Sequence, residues 1–265
     1  MQGRIIGNVS NTYRIKTNEE TYEAYARGRF KNKEITPLVG DIVEIEITNE
    51  NNKNQTAIIE KIEPRKNEIK RPRMANIDQI IFIISTKNPK PDLLMLDKQL
   101  AYVEMLRIEP IIIINKLDLQ DTYKEIQKLY ENIGYKAIAT SAKQGKGIDE
   151  LKQLLKKKIS VFSGNSGVGK SSIINALFGI NKTQEGEISK KNKKGKNTTT
   201  DTKLYELMEN TYIADTPGFS SFEINEIESS MLDKYFREFK SEISNCEYVR
   251  MYTYQRGKVW HKKCC

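Results

Sequence analysis

Residues 159–178, ISVFSGNSGVGKSSIINALF, leave the chain few folds to choose from. An apolar strand-like run meets a Gly-x-x-x-x-Gly-Lys-Ser loop, after which Ile173, Ile174 and Leu177 recur at helical spacing. Strand, loop and helix in that succession belong to an α/β fold with a parallel sheet. Gly164, Gly167 and Gly169 let successive backbone N–H groups turn toward phosphate oxygens at a helix N-terminus, where the helix dipole also favours anions. The whole loop, with Asn165, Ser166, Val168 and Ser172, is expected to cradle a nucleotide. Lys170 is expected to bridge the β- and γ-phosphates, and the Ser171 hydroxyl to hold Mg²⁺.

The remainder of the middle region agrees with that class. IIFIIS and PIIIIN read as buried strands, and between them Leu93, Leu96, Leu100 and Val103 mark one face of a helix capped by Asp92. Ile126, Leu129 and Ile133 mark a second helix, KAIAT a further strand, and Ile148, Leu151 and Leu155 a third helix. Residues 1–68 differ. Period-two alternation in RIIGNVSNTYRIKT, ETYEAYARGRF, DIVEIEIT and QTAIIEKIE predicts short strands of a small β-barrel, with an oligonucleotide-binding barrel as the leading form and a protein-contact barrel as the alternative. The basic segment 63–79, with two prolines and no apolar period, reads as a linker. Residues 187–203 are polar and Lys-rich and read as a loop, and Met231, Tyr235, Phe236 and Phe239 predict a last amphipathic helix. The division expected is 1–68, 69–225 and 226–265.

Lys and Arg outnumber Asp and Glu by 44 to 35, and a net charge of +9 suits a partner rich in phosphate. The longest apolar runs fall far short of the roughly 20 residues that cross a bilayer. No membrane span is expected, and the N-terminus has no secretory leader, so a cytoplasmic location is the expectation. Cys246, Cys264 and Cys265 do not make a disulfide framework.

The phosphate loop does not choose between nucleotides, but NKLD does. The Asp118 carboxylate can accept from guanine N1–H and its 2-amino group, whereas adenine offers no such pair, a mismatch able to discriminate by about 10⁴. Asn115 can bond both the base and the phosphate loop, the stem of Lys116 can lie along the base plane, and Leu117 completes the element. Ser141, Ala142 and Lys143, after the next strand, match a second base-contact element that offers a backbone N–H to O6. DTPG ends another strand, with Asp215 placed to hold Mg²⁺ through water and the Gly218 N–H to sense the γ-phosphate. Between the two lie Thr198, Thr199 and Thr200, of which Thr200 is favoured to close over the metal. The order is base, base, phosphate, switch, switch. Such a rotation is allowed because the ends of a compact domain lie close together and can be joined while a former connection is opened.

The barrel, ANIDQ, NKLDL, TSAK, SGNSGVGKSSIINAL, TTT and DTPGF, in that order, resemble the circularly permuted GTPases of the small ribosomal subunit biogenesis family, the RsgA or YjeQ type, over residues 1 to about 248. The resemblance implies an oligonucleotide-binding-like barrel, a permuted α/β GTPase domain with a mostly parallel sheet, and a C-terminal zinc domain. It implies a GTP hydrolase using GTP, GDP and Mg²⁺, stimulated by the ribosome in late maturation of the small (30S) subunit, and acting as a monomer on 16S-type rRNA. The alternative is a GTP-binding ribosome factor with little turnover.

Two departures from the family stand out. Lys196 and Asn197 replace its usual Arg-His pair before the threonines; Asn cannot act as a general base, although it can orient water. Phe219 follows DTPG where other GTPases often place a water-positioning Gln, so slow intrinsic turnover is expected, with Lys170, Asn197, Thr200 and Gly218 around the reaction. Cys246 begins the family's zinc pattern, Cys-x4-Cys-x-His-x5-Cys, but the rest is missing, leaving an atypical or truncated remnant. The codons of Met251-Tyr252, read from their second base, give Cys; those of Thr253-Tyr254 and Val259-Trp260 permit His and Cys, and Trp260-His261 forces Gly. A frameshift near Val249 would restore the pattern. A zinc site from Cys246, His261, Cys264 and Cys265, or a tail without metal, are the alternatives.

Overall fold

The computed structural model describes residues 1–28, 30, 36–49, 56–70, 72–179, 202–215 and 227–240. Strands β1 (Gln2–Val9), β2 (Thr12–Lys16), β3 (Thr21–Ala26), β4 (Ile42–Asn49) and β5 (Thr56–Ile62) close into a barrel in the order β1-β2-β3-β5-β4. Their alternation is what closes it: Ile5, Ile15, Ala24, Val43, Ile45, Ala57 and Ile59 point inward and bury, while the residues between them stay partly or fully exposed.

The segment expected to be a linker is instead ordered. β6 (Glu68–Lys70) and β7 (Arg73–Ala75) pair antiparallel, burying Ile69 and Met74. Three-residue strands are too short to show a period. A second reason is polar: the fully buried Asp41 carboxylate takes Arg65 Nε at 2.8 Å, Arg65 Nη2 at 2.8 Å and the Leu38 N–H at 2.7 Å. Asn67 and Asn76 add bonds to the Ile77 backbone and the Gly40 carbonyl. Gly40, at φ +97°, packs so closely that a Cβ there would lie 2.0 Å from the Ala75 carbonyl oxygen. Barrel and second domain are thereby joined through one continuous apolar cluster that runs from Ile5 through Met74 and Ile77 to Ile80.

The second domain follows as β8 (Gln79–Ser85), α1 (Leu93–Met105), β9 (Glu109–Asn115), α2 (Tyr123–Ile133), β10 (Lys136–Ala139), α3 (Ile148–Leu155), β11 (Ile159–Ser163), α4 (Lys170–Phe178), β12 (Leu204–Met208) and β13 (Thr211–Asp215). The sheet order is β10-β9-β8-β11-β13-β12, parallel except for β12 against β13. Ile80, Phe82, Ile112 and Ile114 pack with α1 and α2 on one face; Ile81, Ile83, Ile111 and Ile113 pack with α3 and α4 on the other. Strands buried on both faces explain the unbroken isoleucine runs. The chain enters at β8, moves outward to β10, then returns to β11 on the opposite side of β8. That reversal between β8 and β11 is a switch point, where α/β sheets open a crevice at the carboxyl ends of their strands.

Asp92 caps α1 as expected, accepting the Met95 N–H at 3.0 Å. The face of α2 differs from expectation: Tyr130 is buried beside Ile126 and Ile133, and Leu129 is 47% exposed. The final amphipathic helix is also corrected. Ser229–Tyr235 and Arg237–Phe239 are separate 3₁₀ segments, parted by Phe236 in an extended conformation. Arg237 docks them, donating from Nε to Glu104 at 2.5 Å and from Nη1 to the Gly134 carbonyl at 2.6 Å, with its guanidinium 4.3 Å above the Tyr135 ring. No described helix is long and apolar enough to cross a membrane.

Candidate nucleotide-binding site

The parallel strands deliver their loops to one edge of the sheet. Ser85 pairs with Asn115 and Ile114 with Ala139, so β8, β9 and β10 end level; Phe82 pairs with Ser163 and Phe162 with Asp215, so β11 and β13 reach the same edge but end about three residues earlier. Every sequence element assigned to the nucleotide begins there, apart from the threonines.

Asn115 ties three of these loops together. Its amide Nδ2 donates to the Val168 carbonyl at 2.9 Å, while Oδ1 accepts from the Thr140 hydroxyl at 3.2 Å and the Ala142 N–H at 3.3 Å. The side chain is buried, so these bonds form without competition from water. Gly169 accommodates it: at φ +98°, a Cβ there would lie 2.2 Å from Asn115 Nδ2. The Lys116 ammonium reaches the Gly167 carbonyl at 2.7 Å and the Asn88 carbonyl. Val168 is buried and anchors the phosphate loop, whereas Asn165, Ser166 and Gly167 are exposed, as are Ser171 and Ser172 in the first turn of α4. The loop rim and the helix N-terminus therefore face solvent. Gly164 starts the loop and Lys170 starts the helix.

Leu117 donates its N–H to the Thr140 carbonyl at 3.1 Å, fixing the turn that presents Asp118. Asp118 Oδ1 accepts the Ser141 hydroxyl at 2.5 Å. That bond holds the Asp118 carboxyl below the usual carboxylate range against partial desolvation, with Lys143 and Lys146 adding in the same direction. One carboxylate oxygen is thus oriented from below. Because the Ala142 N–H is engaged with Asn115, it belongs to the frame of the site.

Thr86 escaped the sequence reading. It is buried, donates its N–H to the Asn115 carbonyl at 3.1 Å and its hydroxyl to the Lys116 carbonyl at 2.8 Å. Ser85 in turn donates to the Pro89 carbonyl at 2.8 Å. The available signal was position: STKNPKP follows a buried strand just as NKLD does.

The residues fit a hard cation only in part of the described chain. Ser171 is exposed in the first turn of α4, and Asp215, whose backbone alone is described, ends β13 next to β11, the strand that leads into the phosphate loop. Asn197, Thr198, Thr199, Thr200, Gly218, Phe219 and Cys246, with the tail to Cys265, lie outside the described residues. Among the described residues no group of three or more His, Cys, Asp and Glu side chains could hold a metal ion.

The RsgA GTPase family model matches residues 62–225, and that of the RsgA N-terminal domain matches residues 2–54. The small ribosomal subunit biogenesis GTPase RsgA of Caldanaerobacter subterraneus subsp. tengcongensis is 40% identical, over 94% of this chain and 83% of its own. Its namesake in Alkaliphilus metalliredigens is 39% identical, over 94% and 85%. Among solved structures, YjeQ from Thermotoga maritima is similar with a TM-score of 0.77 and 33% identity, covering 98% of this chain and 92% of that one. YloQ, a circularly permuted GTPase, is similar with a TM-score of 0.76 and 28% identity, covering 99% and 89%. With both halves of the described chain matched and the permuted order of strands and loops in place, this protein belongs to the RsgA family of circularly permuted GTPases.

Proposed function

We propose that the protein hydrolyses GTP while engaged with the small (30S) ribosomal subunit late in its maturation; the reading is supported by its relatives, which are named small ribosomal subunit biogenesis GTPases. The observation that carries the site reading is the 2.9 Å bond from Asn115 to the Val168 carbonyl, which joins the NKLD loop to the phosphate loop. A single bound nucleotide can then span both. Asp118, with Asn115, Lys116 and Leu117, reads guanine, and residues 141–143 close that end. Gly164 to Ser172 wrap the phosphates, with Lys170 neutralising charge that grows between the β- and γ-phosphates in the transition state. Ser171, Thr200 and Asp215 would hold Mg²⁺, which when bound would neutralise further phosphate charge. Thr200, Gly218 and Asn197 complete the reacting end, Asn197 orienting water without removing its proton.

The division into barrel (1–68), GTPase domain (69–225) and C-terminal segment (226–265) goes with this reading, as do action as a monomer in the cytoplasm and contact with 16S-type rRNA. Residues 1–68 hold eleven basic and eleven acidic side chains, so the excess positive charge falls in the later part of the chain. Phosphate attraction is therefore assigned to the GTPase and C-terminal parts, and shape or base contact to the barrel. Zinc needs ligands beyond Cys246, and a frameshift near Val249 accounts for their loss; sequencing the gene tests it, since codons unable to encode His and a second Cys in the shifted frame exclude it.

The testing experiment is multiple-turnover phosphate release with and without purified small subunits, alongside co-sedimentation in GDP and in a non-hydrolysable GTP analogue. Stimulated release and tighter sedimentation with the analogue are expected. Equal release in both conditions would remove the ribosome from the reading, and leave a nucleotide-binding factor of low turnover.

A further inference from the structure

The barrel and the GTPase sheet meet at β12, the edge strand of the sheet. An edge strand normally carries unpaired backbone groups. Here β1 approaches it: Gln2, Gly3 and Arg4 pair with β4, the register against β2 shifts between Ile5 and Gly7, and Gly7 then forms an antiparallel bridge to Lys203. A bulge of this kind bends and twists its strand, which is how one strand can serve two sheets.

The location of this bridge matters. Lys203 directly precedes Leu204, which pairs with Ala214, so the bridge lies at the end of the hairpin where β13 reaches Asp215. Three residues before Asp215, the Tyr212 ring is buried beneath the barrel residue Arg4, whose guanidinium lies 5.8 Å from the ring centre. Arg4 is held from behind by a 3.0 Å bond from Nη1 to the Gly40 carbonyl. On its other side, Tyr212 donates its N–H to the Lys158 carbonyl at 2.9 Å, next to β11. A barrel strand thus clasps both strands of the hairpin that carries Asp215.

We propose that the barrel is a positioning element for GTP hydrolysis, acting through Arg4 on Tyr212 and through Gly7 on Lys203 to set the β12–β13 hairpin beside the phosphate loop. The proposal rests on the reading of Asp215 given above. A ligand that moves the barrel shifts the hairpin, and with it the distance between Asp215 and Ser171. The even charge balance of the barrel agrees with a domain that transmits position more than it supplies general affinity for phosphate.

The test uses the full chain and measures intrinsic single-turnover GTP hydrolysis, GDP affinity, and stimulation by small subunits. Arg4→Met is expected to slow intrinsic hydrolysis about fivefold, the scale of a partly desolvated cation–π contact, with GDP affinity unchanged. Arg4→Lys restores a cation and should recover most of the rate. Tyr212→Phe, which keeps the ring, should match the parent, while Tyr212→Leu combined with Arg4→Met should slow hydrolysis no more than either alone. If Arg4→Met unfolds at the assay temperature, Arg4→Gln retains a donor for Gly40, loses the cation and carries the same expectation. Parental hydrolysis rates in a folded Arg4→Met or Arg4→Gln overturn the proposal, as does equal loss of GDP affinity and rate. If the parent ignores small subunits while Arg4→Met still loses intrinsic rate, the ribosomal reading falls and the positioning role stands.

Discussion

At Asp118, a single hydroxyl decides how the guanine-reading acid is presented. The Ser141 bond at 2.5 Å lowers its pKa, so the carboxylate is ionised well below neutral pH. A depressed pKa contributes above the ordinary carboxylate value and fades as pH falls through the folded one. The preference for GDP over ADP, in which the titration of the shared diphosphate cancels, should therefore stay flat from pH 7 to about 5, and decline only near or below the usual carboxylate range of about 4; an inflection of that preference near neutrality in a fluorescence titration would assign recognition to another group. Asp118→Asn should weaken GDP at least about 100-fold, and improve xanthine nucleotides, whose 2-oxo group accepts from the new amide. Unchanged guanine selectivity would remove Asp118 from the site. These roles are legible because NKLD and TSAK are local strings. Thr86 was not, since a threonine after a strand has many uses, and only the position of Asn115 and Lys116 above it gives its two bonds a purpose.

Elements obey local rules until a neighbour intervenes. The Asp92 cap on α1 follows from side-chain chemistry alone, and Asp92→Ala should cost about 1 kcal/mol, seen as a lower urea midpoint. In α2, spacing permits either Leu129 or Tyr130 on the inner face. Tyr130 wins because its hydroxyl meets Asp97 of α1 at 2.7 Å and its ring packs edge-on against Tyr135 at 6.3 Å. Periodicity cannot see a partner on another helix. The phosphate loop shows the same dependence from the other side. Gly169 reads as a phosphate-loop glycine, yet its contact is with Asn115, so Gly169→Ala should disturb both loops. The expected result is a lower melting temperature without ligand together with loss of GDP binding; parental values for both would show that the loops tolerate separation.

Across the whole molecule, the Asp41–Arg65 pair fixes to the barrel the start of the segment that leads into the GTPase domain. Arg65→Met leaves a fully buried carboxylate without its fork and should cost about 3–5 kcal/mol, measured by urea unfolding. A loss within about 0.5 kcal/mol would make the junction incidental. Short-range physics accounts for what the amino-acid order determined unaided: strand alternation in the barrel, isoleucine runs in a doubly covered sheet, a glycine loop opening a helix, and a base-reading tetrapeptide at a strand end. Each depends on residues within a few positions of one another. Tertiary structure alone decided that Asn115 meets Val168, 53 residues away, that a basic proline-containing segment becomes a buried joint, and that β1 closes over the hairpin ending at Asp215. Those contacts have no local periodicity, because their partners are chosen by the sheet order that folding produces and not by adjacency along the chain.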